Sequence, residues 1–329
     1  MSDTKYKLLN CLKQASRQWV SGQQISRRLG ITRAAIWKHI QTLKDEGHVI
    51  DAAPRKGYRL AKTADLLLAE EVRTRLQTRV LGRPDVICLA QTDSTNLEAK
   101  RLAAKGAPEG TLVVADSQTS GRGRRGRSWF SPAGRNLYLS ILLRPAMSPA
   151  QTPRLTLMAA VAAAQTLNRI AGLKAHIKWP NDILIGDKKV VGILTEISTE
   201  MDAVDYVVVG LGVNVNTTAA DLPPDIRASA TSIRVECGDR FSRTTLLCSL
   251  LQHFETCYDT LKQDGFKPIM AQWRSMSDII GQAVYVDMLN IRHTGIVEDV
   301  DDDGVLILKD DAGRRHRIFS GDVTRIRKT

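Results

Sequence analysis

The 329-residue sequence has no apolar run approaching the roughly 20 residues that cross a bilayer. Its nearest candidate, the alanine-rich stretch 155–167, is too short and contains Gln165. The N-terminus has no continuous apolar segment or small-residue cleavage site, so no export signal is read there and a cytoplasmic location with no membrane partner is expected. Five cysteines, at 11, 88, 237, 248 and 257, are odd in number and scattered without a C-x-x-C pair, which argues against a disulfide framework and a structural zinc site. The six histidines form no H-x-x-x-H pair, which removes the metalloprotease pattern. Absence of H-R-D, D-F-G and a Walker A lysine removes protein kinases and P-loop enzymes. Acid is the most informative shortage. From 117 to 181 there is no Asp or Glu in 65 residues, against ten Arg or Lys. That stretch implies an electropositive cleft suited to phosphates or acidic ligands.

Ordinary hydrophobic (43%) and charged (25%) contents indicate a globular chain, and the length suits two or three domains. The net charge of +12 is unevenly spread: residues 1–62 hold thirteen Lys and Arg against four Asp and Glu. A basic N-terminal module attached to a nearly neutral body points to a polyanion partner. Within it, apolar residues at 8, 9 and 12 predict a helix over 5–15. Ser21 can cap a helix over 22–29, Gly30 supplies a turn, and Thr32 can cap a helix over 33–45. This is the helix-turn-helix plan. Ile36, Ile40 and Leu43 face inward on the third helix, leaving Thr32, Arg33, Trp37 and Lys38 outward. Short strands over 49–52 and 58–60 flank a basic tip with Arg55 and Lys56, like the wing of a winged-helix domain. Ser21, Gln23, Thr32, Arg33, Ala34, Trp37, Lys38, Arg55 and Lys56 are therefore the expected DNA-facing residues.

A linker is read at 61–64 and a helix at 66–78, followed by strands at 86–89, 111–116, 136–143, 183–185, 189–197 and 206–211. Helices are expected at 95–105, 153–171 and 242–263. That order predicts an α+β fold whose mainly antiparallel sheet carries helices on one face. Past Gly281, short strands separated by turns such as 301–304 suggest a small β-barrel, and the acidic turn lacks the ligand spacing of a calcium loop. The expected domains are 1–62, 66–278 and 280–329.

Residues 121–126 fit G-x-G-x-x-G, but a strand rather than a helix follows, so the dinucleotide fold is excluded. Arginines interleaved with glycines form a mobile loop whose guanidinium forks can close over an anionic ligand. The run Gly121-Arg-Gly-Arg-Arg-Gly-Arg-Ser-Trp129 resembles the G-R-G-R-x-G-R-x-W signature of biotin protein ligases. Asp93-Ser-Thr-Asn96, Lys178-Trp-Pro-Asn-Asp182 and Lys189-Val-Val-Gly-Ile-Leu194 agree in order and spacing. With the winged helix in front, the whole chain resembles the bifunctional bacterial biotin ligases and biotin operon repressors.

The resemblance implies a winged helix, a central mixed α/β catalytic domain and a C-terminal SH3-like barrel. It implies biotin and Mg-ATP as substrates, biotinyl-5′-AMP as intermediate, and a lysine of the biotin carboxyl carrier protein of acetyl-CoA carboxylase as acceptor. It also implies operator DNA as partner and a homodimer loaded with biotinyl-AMP. Lys189 and Arg124 carry the catalytic role by this likeness. Ser94, Thr95, Asn96, Gln118, Arg122, Gly123, Arg124, Lys189, Gly192 and Gly210 would contact biotin. Arg124, Arg127, Lys178, Asn181, Asp182 and Asn214 would contact ATP, with Asp182 also a magnesium ligand. Trp129 and Trp179 either flank the adenine or pack in the core, and Arg325 or Arg327 is the family's C-terminal arginine. Lys188 and Lys189 face opposite ways on a regular strand, so register separates them. A lipoate or octanoate ligase shares the catalytic fold, but the arginine-glycine loop speaks against it. A ligand-sensing transcription factor without activity is the remaining alternative, disfavoured by intact Lys189, Arg124 and Asp182.

Overall fold

The computed structural model describes residues 2–326 other than 46, 63, 201–202 and 289–290. The chain divides into two compact units, Met1–Leu66 and Leu67–Thr329. In the first, α1 (Ser2–Gln14), α2 (Gly22–Leu29) and α3 (Arg33–Asp45) pack with β1 (Val49–Ala53) and β2 (Gly57–Lys62). Leu8, Leu12, Ile25, Ile36, Ile40 and Leu43 form its core. The Ser21 hydroxyl accepts the Gln24 N–H while the Gln24 side chain accepts the Ser21 N–H, a reciprocal cap that starts α2. Gly30 ends α2 in the left-handed region (φ 66°), and the Thr32 hydroxyl accepts the Ala35 N–H to start α3. The wing is an antiparallel pair, β1–β2, extended by Val20, which exchanges hydrogen bonds of 2.8 and 2.9 Å with Tyr58. Gly57 makes that approach possible: φ is 97° and a Cβ there would lie 2.1 Å from the Val20 carbonyl oxygen. β2 runs to Lys62, past the expected start of the linker, and the helix expected over 66–78 is shorter, α4 (Ala69–Arg75).

The second unit continues with β3 (Val86–Leu89), α5 (Thr95–Ala104), β4 (Leu112–Ala115), β5 (Leu137–Leu143) and α6 (Pro153–Ala171). Then come β6 (Ala175–Lys178), β7 (Asp182–Ile185), β8 (Lys188–Glu200) and β9 (Ala203–Val213). Four helices follow: α7 (Pro224–Arg227), α8 (Ile233–Cys237), α9 (Arg243–Asp264) and α10 (Lys267–Ser275). The seven-stranded sheet has the order β3-β4-β5-β9-β8-β7-β6. Among the described residues of this sheet, β3 and β4 are the one parallel strand pair.

Helices cover both faces, not one. Leu137, Leu139, Ile141 and Leu143 of β5 pack in the large core with α6 and α9, whereas Leu142 packs with Ala99 and Ala103 of α5. β5 is buried at every position, the pattern of a strand covered on both sides, and its lack of polar alternation carried that information.

The last strands are β10 (Ala283–Met288), β11 (Ile291–Val300), β12 (Leu306–Lys309), β13 (Arg315–Ile318) and β14 (Asp322–Arg325). They form an antiparallel sheet ordered β13-β12-β11-β10-β14. Among the described residues β13 and β14 are not paired with each other, so this C-terminal element is an open five-stranded sheet rather than the closed barrel expected. Val284, Val286, Val297, Leu306 and Leu308 join the core of the large sheet. The acidic turn caps itself: the Asp301 carboxylate accepts the Asp303 and Val305 N–H groups, both at 2.9 Å.

Candidate active site

Two adjoining cavities open where β8 and β9 meet the arginine-glycine loop, and both are lined by Gly123, Arg124, Trp129, Asn181 and Lys189. The first is closed by Ser94, Thr95, Asn96 and Gln118 at one end and by Gly192, Gly210 and Gly212 along its floor. The floor glycines are required. A Cβ at Gly212 would lie 2.4 Å from the Trp129 ring, and one at Gly210 would lie 2.0 Å from Asn96 Oδ1. Ser94 precedes α5 but makes no capping hydrogen bond; its hydroxyl lines the cavity instead. The turn is held by Asp93, whose carboxylate accepts the Ser94 N–H at 2.7 Å and pairs with Arg101. Those hydrogen bonds, Arg101 foremost, keep the Asp93 carboxyl well below the usual carboxylate range.

Register decides between the two lysines, through a device that strand alternation does not reveal. On a regular strand Lys188, not Lys189, would share the face of Gly192 and Leu194. A β-bulge opposite Ile183 and Leu184 pairs Val191 with Ile183 and Lys189 with Leu184, leaving Val190 as the extra residue. The bulge re-aims the strand so that Lys189 lines both cavities, while Lys188 is exposed. The Lys189 backbone is also held by segment 229–231: its N–H donates to the Ser229 carbonyl at 2.8 Å and its carbonyl accepts the Thr231 N–H at 2.9 Å. Its Nζ lies 2.6 Å from Asp182 and 5.2 Å from the Trp129 ring centre.

The second cavity adds Arg127, Asp182, Asn214 and Asp322 to the shared residues, with Phe130, Leu222 and Ile226 as an apolar wall. Arg124 lines both cavities. It is half-buried, and burial, with Arg125 beside it, lowers its pKa from the usual guanidinium value. It donates a hydrogen bond to neutral Asn181 at 3.0 Å. A half-buried cation whose hydrogen bond goes to a neutral amide keeps charge that only Asp182 nearby offsets. By contrast Arg125 and Arg127 are both paired with Asp322 of β14, and Arg125 also donates to the Asp287 carbonyl at 3.0 Å. The loop is not an open tract: Gly123 N–H donates to Arg127 at 2.7 Å and Trp129 N–H to Gly121 at 2.8 Å, closing a hairpin. Asp322 is a site residue that no motif pointed to.

Of the other residues considered, Asn214 and Arg122 line the cavities, whereas Lys178, Trp179 and Arg325 line neither. Asn214 lines the second cavity while its amide is held by Asn136 and by the Thr231 carbonyl. Arg122 lines the first cavity. Lys178 pairs in register with Asp182 on β6 but lines a neighbouring groove with Asp278 and Arg325 instead of either cavity. Burial pushes its ammonium pKa down, against the pull of Asp182. Trp179 belongs to the core, only 2% exposed, with its indole N–H donating to the Gly304 carbonyl at 3.0 Å. Arg325 pairs with Asp278, and Arg327 lies outside the described residues.

In the N-terminal unit, Gln23, Thr32, Arg33, Ala34, Lys38, Arg55 and Lys56 are exposed, and Trp37 is 59% exposed on α3. Ser21 differs: its hydroxyl and backbone N–H are both engaged in the α2 cap.

Fold and site define a two-part protein, a winged helix-turn-helix joined to a mixed α/β domain with an arginine- and lysine-lined cleft. Residues 88–214 match the Biotin/lipoate A/B protein ligase family, residues 4–59 an HTH domain, and residues 279–324 the Biotin protein ligase C terminal domain. The chain is 42% identical to the bifunctional ligase/repressor BirA of Bacillus subtilis over 96% of its own length and 97% of that protein. It is 32% identical to that of Escherichia coli over 90% of each chain. The crystal structure of the biotin protein ligase of Aquifex aeolicus in complex with biotin and ATP superposes with a TM-score of 0.64 at 30% identity, covering 74% of this chain and 99% of that one. The chain belongs to the bifunctional ligase/repressor branch of the biotin protein ligases.

Proposed function

We propose that this chain is an ATP-dependent biotin protein ligase that also represses transcription. The observation that carries the reading is the meeting of two cavities at Lys189 and Arg124, one ending in uncharged hydrogen-bonding groups and the other in cations. Biotin occupies the first cavity, with its ring system toward Ser94, Thr95, Asn96 and Gln118, over the floor of Gly192 and Gly210 and beside Arg122. Its carboxylate reaches Lys189. ATP occupies the second, its phosphates toward Arg124, Arg127 and Asn181, with Asn214 on the nucleotide side and Lys178 acting through the field it adds behind Asp182.

The carboxylate oxygen attacks the α-phosphorus as the bond to the pyrophosphate oxygen breaks. A lysine of the biotin carboxyl carrier protein then attacks the acyl carbon of biotinyl-5′-AMP and expels AMP. A magnesium ion would neutralise the phosphates, and Asp182 is the carboxylate placed to hold it. Among the described residues no group of three His, Cys, Asp or Glu could hold a metal alone, which fits an ion that arrives on the nucleotide. The C-terminal sheet corresponds to the SH3-like domain and holds the arginine loop through Asp322. The protein acts in the cytoplasm; none of its helices, among the described residues, is long and apolar enough to cross a membrane.

Pyrophosphate release from ATP tests the ligase reading. Release with biotin but not with lipoate is expected; release with lipoate alone would make it a lipoate ligase, and none with either would make it a sensor. Gly210→Ala forces a methyl onto Asn96. Overpacking of that kind costs about 1–3 kcal/mol, so a rise of roughly tenfold or more in KM for biotin is expected in a protein that still folds.

The winged helix reads operator DNA through α3 and the Arg55–Lys56 tip as a homodimer that forms when biotinyl-AMP is bound. The two copies would meet half-sites about one helical turn, roughly 34 Å, apart or a multiple of it. Removing residues 1–66 is expected to abolish operator binding and its salt dependence while pyrophosphate release persists. A mobility-shift titration of the shortened chain at two salt concentrations checks this.

A further inference from the structure

Behind the wall of the first cavity runs a chain of hydrogen bonds whose protons have one consistent placement. Glu196 of β8 offers two acceptor oxygens: Oε1 receives the Lys100 ammonium, and Oε2 receives the Asn96 side-chain N–H at 2.8 Å. The same Asn96 nitrogen donates to the Leu194 carbonyl at 3.2 Å. Both neighbours are acceptors, so the amide has only one orientation, with both N–H bonds turned toward β8. Asn96 Oδ1 lies 2.6 Å from the Ser140 hydroxyl, and only Ser140 has a proton to place between them. The Ser140 to Thr95 hydroxyl contact at 2.8 Å therefore takes its proton from Thr95. Gln118 Oε1 accepts the Thr95 backbone N–H at 2.9 Å and offers its second lone pair to the Thr95 hydroxyl at 3.3 Å, so the single Thr95 hydroxyl proton is spent inside this network on either partner. What Thr95 Oγ1 and Asn96 Oδ1 have left for the cavity they line is lone pairs.

We infer that Glu196, held by Lys100, is a positioning residue for ligand choice: by fixing Asn96 it makes the Thr95–Asn96 wall of the cavity accept hydrogen bonds and not donate them. The inference rests on the biotin ligase reading. A cyclic urea brings two N–H donors to such a wall; a ring without N–H leaves buried acceptors unpaired, the kind of mismatch that discriminates most strongly. Glu196 touches no substrate and acts through Asn96.

The test uses the full-length chain and three ligands: biotin, desthiobiotin, which keeps the urea, and a carbamate analogue with ring oxygen in place of one urea N–H. In Glu196→Gln the new amide keeps its oxygen on Lys100 and turns its nitrogen toward Asn96, so two donors face one gap and Asn96 loses its fixed orientation. KM for biotin and desthiobiotin is expected to rise roughly 10–100-fold. The preference for biotin over the carbamate is expected to fall by the same factor. The urea lies far from the reacting carboxylate, so kcat is expected to change by less than about threefold.

Equal losses for all three ligands with kcat falling in step would make Glu196 merely structural and overturn the inference, as would no change at all. Lys100→Met, on a partly exposed side chain, is expected to shift the preference in the same direction by less. If Glu196→Gln does not fold, an unchanged preference in Lys100→Met overturns the inference. An unaltered chain that releases no pyrophosphate with biotin would sink the ligase reading itself; an active chain whose preference ignores both variants sinks only the role of Glu196.

Discussion

Lys189→Ala is expected to lower biotin-dependent pyrophosphate release by about 10²–10³-fold, the usual loss when one preorganised electrostatic contact to a transition state is removed. The lysine stands where the two cavities join. Its ammonium is paired with Asp182 at 2.6 Å. As the carboxylate closes on the α-phosphorus, negative charge gathers on the phosphoryl oxygens, and an ammonium fixed by a bulged strand answers it without reorganising. The effect therefore falls on kcat, with biotin binding reduced far less. Single-turnover pyrophosphate release and equilibrium biotin binding, measured on the same variant, separate the two. A change confined to KM for biotin would assign Lys189 to ground-state binding. Lys188→Ala is the matched control, since Lys188 is exposed and its loss is expected to leave the rate unchanged.

That pair of lysines also marks where the sequence is legible and where it is not. Local chemistry reads well: Ser21, Gly30 and Thr32 bracket their helices as caps and turn residues do. The four motifs bring Ser94, Arg124, Asn181 and Lys189 into one cleft. A bulge is different, because it is a property of two strands pairing, and neither strand alone displays it.

Contacts made across the fold are equally hidden. Asp322 reaches Arg125 and Arg127 from nearly two hundred positions away, and Glu196 meets Asn96 from a hundred. Nothing in a local pattern distinguishes either carboxylate from a solvated one. Trp179, for which the sequence leaves adenine stacking and core packing both open, takes the second. It sits inside a binding motif, yet its ring fills core space and its N–H is spent on Gly304. A motif fixes residue types and spacing, while packing decides which members face the ligand.

Arg124→Gly is expected to turn a selective ligase into one that labels bystanders. Biotinyl-AMP is a mixed anhydride, reactive toward any unprotonated amine, so the protein must hold it and keep water away until the carrier lysine arrives. Arg124 is suited to the holding. It lines both cavities, burial has stripped much of its water, and its hydrogen bond goes to Asn181 rather than to a carboxylate. Its charge is thus available to the adenylate, in contrast with Arg125 and Arg127, which Asp322 already partly neutralises. Glycine at 124 removes the guanidinium and loosens the single 3₁₀ turn that the residue begins. Lys189 and the cradle of Ser94, Thr95 and Asn96 stay in place, so synthesis of the adenylate largely survives. Loss of a charge-assisted contact of about 1.5–3 kcal/mol corresponds to roughly 10–100-fold faster escape. Free adenylate then acylates exposed lysines wherever it meets them. Incubating each protein with ATP, biotin and serum albumin, then probing for bound biotin, is expected to show heavy albumin labelling with the variant and little with the parent. Equal labelling would mean that the intermediate is retained by other groups, with the Asp322-tethered hairpin the next to test.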